Sequence, residues 1–154
     1  MISHLNKNKK PQIVDISDKE ITNRIAIAEG YIEFSKSSFK KIESFKTKKG
    51  EIKSIAIIAG IMGAKKTNEL IPLCHNIKIE NIDINIISKK KINSLKVTAK
   101  IKSKGKTGVE MEALTAVSTA LLTLYDMCKS IDKKMIIKNI KLVKKSGGKT
   151  DFLI

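Results

Sequence analysis

Asp126 interrupts an otherwise apolar run of Leu121, Leu122, Leu124, Met127 and Cys128, and Lys129 follows it closely. A carboxylate among apolar side chains is costly unless it is paired. Two readings stand side by side. One is an intrahelical salt bridge; the other is a general acid/base couple whose proton affinities are tuned by partial burial. Glu112 stands fourteen residues earlier in the same helical pattern. On an ideal helix the two carboxylates fall within about 40° of each other around the axis but roughly 21 Å apart along it. One compact site in a single chain cannot use both. Either one works alone, or neighbouring chains supply them to composite sites. Glu110 has a simpler explanation, because Thr107 and Glu110 match the spacing of a capping box.

Cys74-His75 follows Pro72. Zinc would require a CxxC pair or a second nearby His, and neither is present. A Cys nucleophile served by its own neighbour as base is sterically awkward, which leaves His75 as a polar loop residue on these grounds alone. Lys48-Lys49, Lys65-Lys66 and Lys144-Lys145 each read as solvated charge, and together they are suited to cradle a polyphosphate. Gly105-Lys106-Thr107-Gly108 resembles a phosphate-binding P-loop only superficially. That motif needs a Gly five residues before Gly105, where Lys100 stands. Glu110 and Glu112 at the start of the following helix would also repel a phosphate.

The elements that must position these groups follow from periodicity. Residues 1–12 are polar, Lys-rich and read as a flexible arm, leaving 13–154 as one domain. Ile21–Phe34 reads as a strand interrupted by Gly30. Ser35 or Ser37 caps a short helix with Phe39, Ile42 and Phe45 inward. A second helix starts near Glu51, with Ile52, Ile55, Ala56, Ala59 and Met62 as its apolar face, and ends before Pro72. Ile77–Ile87 reads as a strand whose apolar phase switches between Ile79 and Ile82, the mark of a bulge. After a Lys89-Lys90-Lys91 turn, Leu95, Val97, Ala99 and Ile101 alternate as its hairpin partner. Val109, Ala113, Ala116, Val117, Ala120, Leu121, Leu124, Cys128 and Ile131 form one helical stripe. Ile136–Val143 is the final strand, and Ser146-Gly147-Gly148-Lys149 a loop. The order β-α(α)-β-β-α-β is that of an α+β, ferredoxin-like sandwich, an antiparallel sheet with helices on one face.

Composition narrows the class. The 154 residues carry 31 basic and 15 acidic side chains, for a net charge of +16, yet 42% are hydrophobic, too many for a disordered chain. Two Cys make no disulfide framework, and the longest uncharged stretches fall short of a membrane span. No apolar segment follows the N-terminal lysines, so they do not introduce a signal peptide. A soluble cytoplasmic protein is expected. Thirty of the basic residues are Lys and only Arg24 is Arg, which reads largely as codon drift on a solvated surface.

Several segments carry a resemblance: Lys49-Gly50, Ala59-Gly60-Ile61, Ala64-Lys65-Lys66-Thr67 and Leu70-Ile71-Pro72-Leu73-Cys74-His75. The longest runs from Gly105 to Ala116 through Glu110-Met111-Glu112, and Tyr125-Asp126-Met127-Cys128-Lys129 and Lys145-Ser146-Gly147-Gly148-Lys149 complete the set. Together they resemble the cyclic pyranopterin monophosphate synthase family, the C proteins of molybdenum cofactor biosynthesis. The similarity runs from about Val14 to Phe152. Departures fall at Ile57, Asn68 and Asn76, where the family usually has Arg, Trp and Pro.

The resemblance implies a homohexamer, a trimer of dimers, with active sites at subunit interfaces. It implies conversion of (8S)-3′,8-cyclo-7,8-dihydroguanosine 5′-triphosphate to cyclic pyranopterin monophosphate with release of diphosphate. The family's reactive residues fall on Asp126, Lys129, Lys49 and Lys65, and on His75, Glu110 and Glu112. Its substrate contacts fall on Leu73-Cys74-His75 and Met111-Glu112, with Lys145 beside them. No resident cofactor or metal is demanded, and Mg²⁺ accompanying the triphosphate is compatible with it. The competing class is an RNA-recognition module of the same topology, which stacks bases on aromatics of its third strand. Ile92–Ile101 has no aromatic, so no nucleic-acid partner is expected. A catalytically silent assembly partner is the third reading.

Overall fold

The computed structural model describes residues 4–6, 8–43, 46–47 and 50–154, with backbone only at 46, 47 and 50. The chain forms β1 (Thr22–Glu33), α1 (Lys36–Glu43), a small hairpin of β2 (Lys46–Thr47) and β3 (Gly50–Glu51), α2 (Ile52–Lys65) and α3 (Thr67–Leu70). Then come β4 (Ile79–Lys89), β5 (Ser94–Gly105), α4 (Glu110–Cys128), β6 (Ile136–Ser146) and β7 (Phe152–Leu153). The main sheet has the order β4-β5-β1-β6-β7 with every pairing antiparallel. Its first four strands have the ferredoxin-like arrangement, and the expected α+β class holds.

β1 occupies the centre, and its inward residues Ala26, Ala28, Gly30 and Ile32 lie beneath α4. The strand is not interrupted at Gly30. A Cβ there would sit 2.7 Å from Leu121 Cδ1 and 3.0 Å from Val117 Cγ1, so the glycine serves the close approach of helix to strand. The pairing with β6 shifts register between Glu29 and Tyr31, and Asn139 takes a left-handed conformation (φ 55°) in the same region. On β5, Leu95, Val97, Ala99 and Ile101 are all buried, as their alternation requires. The bulge in β4 falls between Ile79 and Asn81, inside the expected phase switch.

The stripe on α4 is fully buried from Ala113 to Cys128, and each enclosed Leu contributes about 1.5–3 kcal/mol. α2 differs from its expected face. Its buried residues are Ile52, Ala56, Gly60, Gly63 and Ala64, whereas Met62 is exposed. Small residues face α4 because the helices run close together: a Cβ on Gly60 would lie 2.9 Å from the Ala116 carbonyl oxygen. Ser35 does cap α1, accepting the Ser38 N–H at 3.4 Å. Phe39 and Ile42 are buried, while Phe45 lies outside the described residues. The last strand of the expected scheme is extended: β6 continues to Ser146, and β7 pairs back through Lys144↔Leu153 and Lys145↔Phe152. Near the N-terminus the Gln12 N–H donates to the His4 carbonyl and the Asn6 N–H to the Lys10 carbonyl, each at 2.9 Å.

Candidate functional site

α4 begins at Glu110, and Val109 occupies its N-cap without a side-chain hydrogen bond. The capping box of Thr107 and Glu110 therefore does not form, because Glu110 is the first helical residue and not the third. Its carboxylate turns back over Gly108, where a Cβ would overlap it. From there Oε1 reaches Lys145 Nζ at 3.5 Å. Lys145 projects to this side because it stands opposite the inward Ala26 in the register of β1 and β6.

Glu110 and Lys145 face each other across a cleft of about 740 Å³. One wall is the turn Lys106-Thr107-Gly108, the other is the Ser146–Thr150 turn, and Asp15, Asp18, Lys19 and Glu20 form the rim. Lys106 Nζ ties the first wall to the rim by donating to the Ser17 carbonyl at 2.5 Å. On the rim, Asp15 accepts from the Ser17 hydroxyl and N–H, which holds its carboxyl below the usual range. Arg24, Thr22, Lys106 and Asp15 have no assigned role in the sequence reading. The one signal in the sequence is that Arg24 is the sole arginine.

Glu112 stands two residues beyond Glu110, about 200° around the helix, and so faces away from it. It is only 4% exposed. Burial pushes its carboxyl up, its own backbone N–H partly counters this, and the charge of Glu110 pushes the same way as burial. Cys74 is its neighbour: burial raises the thiol, and the Glu112 charge raises it further. A thiol held protonated is a poor nucleophile. His75 shares a 2.8 Å hydrogen bond with the Val14 carbonyl through Nε2. The carbonyl only accepts, so Nε2 carries the proton. Leu73, next to Cys74 in the chain, is half-buried, and Met111, next to Glu112, is exposed.

Lys65, Asp126 and Lys129 lie elsewhere on the protomer. Lys65, exposed at the end of α2, borders a separate depression of about 350 Å³ with Ile61, Glu80 and Asn81. Lys49 lies outside the described residues. Asp126 and Lys129 form an ion pair at 2.7 Å, but their side chains are 72% and 64% exposed. The expected partial burial of Asp126 is therefore absent in the protomer. Asp126 points to solvent while Leu121, Leu124 and Cys128 turn inward. Its hydrogen bond and charge raise the Lys129 ammonium above its ordinary value. Glu112 and Asp126 remain roughly 21 Å apart along α4. Among the described residues, no three His, Cys, Asp or Glu side chains converge as a metal site, and no helix is long and apolar enough to cross a membrane.

Comparison with known proteins places this arrangement in context. The MoaC family model matches residues 13–148, which contain every candidate residue. A Helicobacter pylori (strain Shi470) protein named cyclic pyranopterin monophosphate synthase is 52% identical over 149 residues, covering 97% of this chain and 94% of its own. Proteins of the same name from Helicobacter hepaticus and Clostridium acetobutylicum are 50% and 48% identical. They cover 99% and 97% of this chain, and 96% and 93% of their own lengths.

Proposed function

This chain belongs to the MoaC family, and we propose that it carries out the reaction of a cyclic pyranopterin monophosphate synthase in molybdenum cofactor biosynthesis. The substrate is the (8S)-3′,8-cyclo-7,8-dihydroguanosine 5′-triphosphate and the products are cyclic pyranopterin monophosphate and diphosphate. The observation that carries the reading is the pairing of acids with ammonium groups at both ends of α4, in a chain about half identical to the named relatives. Rearranging a guanine-derived ring needs proton donors and acceptors on several atoms. Burial raises the Glu112 carboxyl above the ordinary carboxylate range, which strengthens its hold on a proton and suits it to acid/base work. Closing the cyclic phosphate requires a hydroxyl oxygen to attack the α-phosphorus as diphosphate leaves. Lys145, Lys65 and Lys49 are the ammonium groups offered to that developing charge.

The separation of Glu112 from Asp126 and Lys129 supports a composite site, in which one protomer supplies the acid/base couple to the cleft of a second copy within a homohexamer. In that setting the exposed pair is shielded by the neighbouring subunit and its electrostatics strengthen. The reading includes no resident cofactor; a Mg²⁺ ion brought by the triphosphate is part of the substrate. It also includes no nucleic-acid partner. The outward residues of β5 are Lys96, Thr98, Lys100, Lys102 and Lys104, with no aromatic platform for a base. The working compartment is the cytoplasm. Incubating the purified protein with the cyclic nucleotide should yield diphosphate and the pterin product. Absence of both refutes the activity, and a stable 17.1 kDa species in sedimentation during turnover refutes the composite site.

A further inference from the structure

Among 31 basic side chains Arg24 is the one that is not lysine, and it lies against the cleft. Its Nε donates to the Gly105 carbonyl at 3.1 Å and its Nη2 to the Lys106 carbonyl at 3.2 Å. A planar fork holds two successive carbonyls at once; a lysine ammonium on a flexible stem does not. The other edge of the guanidinium abuts Gly148, where a Cβ would sit 3.1 Å from Nη1. Two residues earlier, the Thr22 hydroxyl donates to the Gly147 carbonyl at 2.6 Å. Gly147 adopts φ +87°, and a Cβ there would overlap the Asn23 carbonyl. The start of β1 thus grips both walls of the cleft: the turn that leads into Glu110 and the turn that follows Lys145.

We propose that Arg24 is a positioning residue for the reaction, setting with Thr22 the separation of Glu110 and Lys145 across the cleft and acting on turnover through Lys145. The proposal rests on the reading of this cleft as part of the active site. Two of the guanidinium nitrogens are already committed to backbone carbonyls, so its contribution is geometry and not charge alone. Displacing a catalytic group by about 1 Å costs up to roughly 100-fold in rate.

The test is a double-mutant cycle of Arg24→Lys and Lys145→Ala, with kcat and KM for the cyclic nucleotide measured where all variants are folded. Arg24→Lys should lower kcat/KM by about 10- to 100-fold although it keeps the charge, and should cost little more in the Lys145→Ala background. Wild-type kcat/KM in Arg24→Lys, or the same loss with and without Lys145, overturns the proposal. Where Arg24→Lys does not fold, Thr22→Val removes only the Gly147 bond, and failure of that variant to couple to Lys145 also overturns it. Turnover by the wild type with Arg24 uncoupled refutes positioning alone, whereas no wild-type turnover refutes the functional reading beneath it.

Discussion

Replacing Glu112 with Gln tests whether this carboxyl is held for chemistry at the expense of stability. The side chain is 4% exposed, and burial followed by the nearby Glu110 charge raises its pKa above the ordinary carboxylate value of about 4.5. A raised folded pKa means that the folded state binds the proton more tightly than the unfolded state. Its stabilising contribution is complete below about pH 4.5 and is lost as pH rises through the folded value. The isosteric amide does not ionise and escapes that loss. Removing one poorly compensated buried charge is worth on the order of 1–3 kcal/mol. In a chain of this length each kcal/mol moves Tm by about 2–4 °C. Thermal melts should therefore coincide at pH 4 and separate at pH 8, with Glu112→Gln the more stable. Turnover should fall by roughly 100-fold or more, since the amide carries no transferable proton. A variant less stable than wild type at pH 8 would mean that a cation holds Glu112 ionised in the assembly, and the reasoning fails.

Asp126→Asn should leave the assembly intact, because the amide keeps the size and hydrogen bonding of a side chain that is exposed in the protomer, while turnover falls by roughly 100-fold or more; near-normal turnover reduces the pair to a structural contact. Gly108→Ala should fold normally, because the atoms its Cβ meets are the flexible end of Glu110. The displaced carboxylate should raise KM several-fold, and an unchanged KM with unchanged kcat refutes a role for the Glu110–Lys145 pair. Asp132 is buried; burial alone would raise its carboxyl, but the N–H groups of Lys134 and Ser35 and nearby Ser hydroxyls lower it overall. Stability from Asp132 is thus present above its unfolded pKa of about 3.8 and lost as pH falls through the lower folded value. Asp132→Ala should cost about 1–3 kcal/mol at pH 7, with the difference from wild type shrinking on acidification; a difference that persists through acid unfolding contradicts this.

Local periodicity settled most of the fold, because burial on one face writes a period of two or near 3.6 into the chain. The alternation of Leu95, Val97, Ala99 and Ile101 and the stripe from Ala113 to Cys128 are such signals, and both hold in full. The family motifs, from Gly105 to Ala116 and around Asp126, were likewise readable as residue strings. Three-dimensional packing decided what strings do not encode. Gly30 looks like a strand breaker and is instead the groove beneath Leu121 and Val117. Met62 matches the helical period yet faces outward, because α2 meets α4 through glycines. Asp126 sits in an apolar run but on the helix's solvent side, since neighbours in sequence lie about 100° apart around the axis. The pairing of Glu110 with Lys145 joins residues from α4 and β6, and only the register of β6 on β1 brings them within 3.5 Å. Arg24 was visible as a composition anomaly, but its two carbonyl acceptors lie more than eighty residues away in sequence. A contact of that range exists only after the sheet has closed, so its meaning belongs to the tertiary structure.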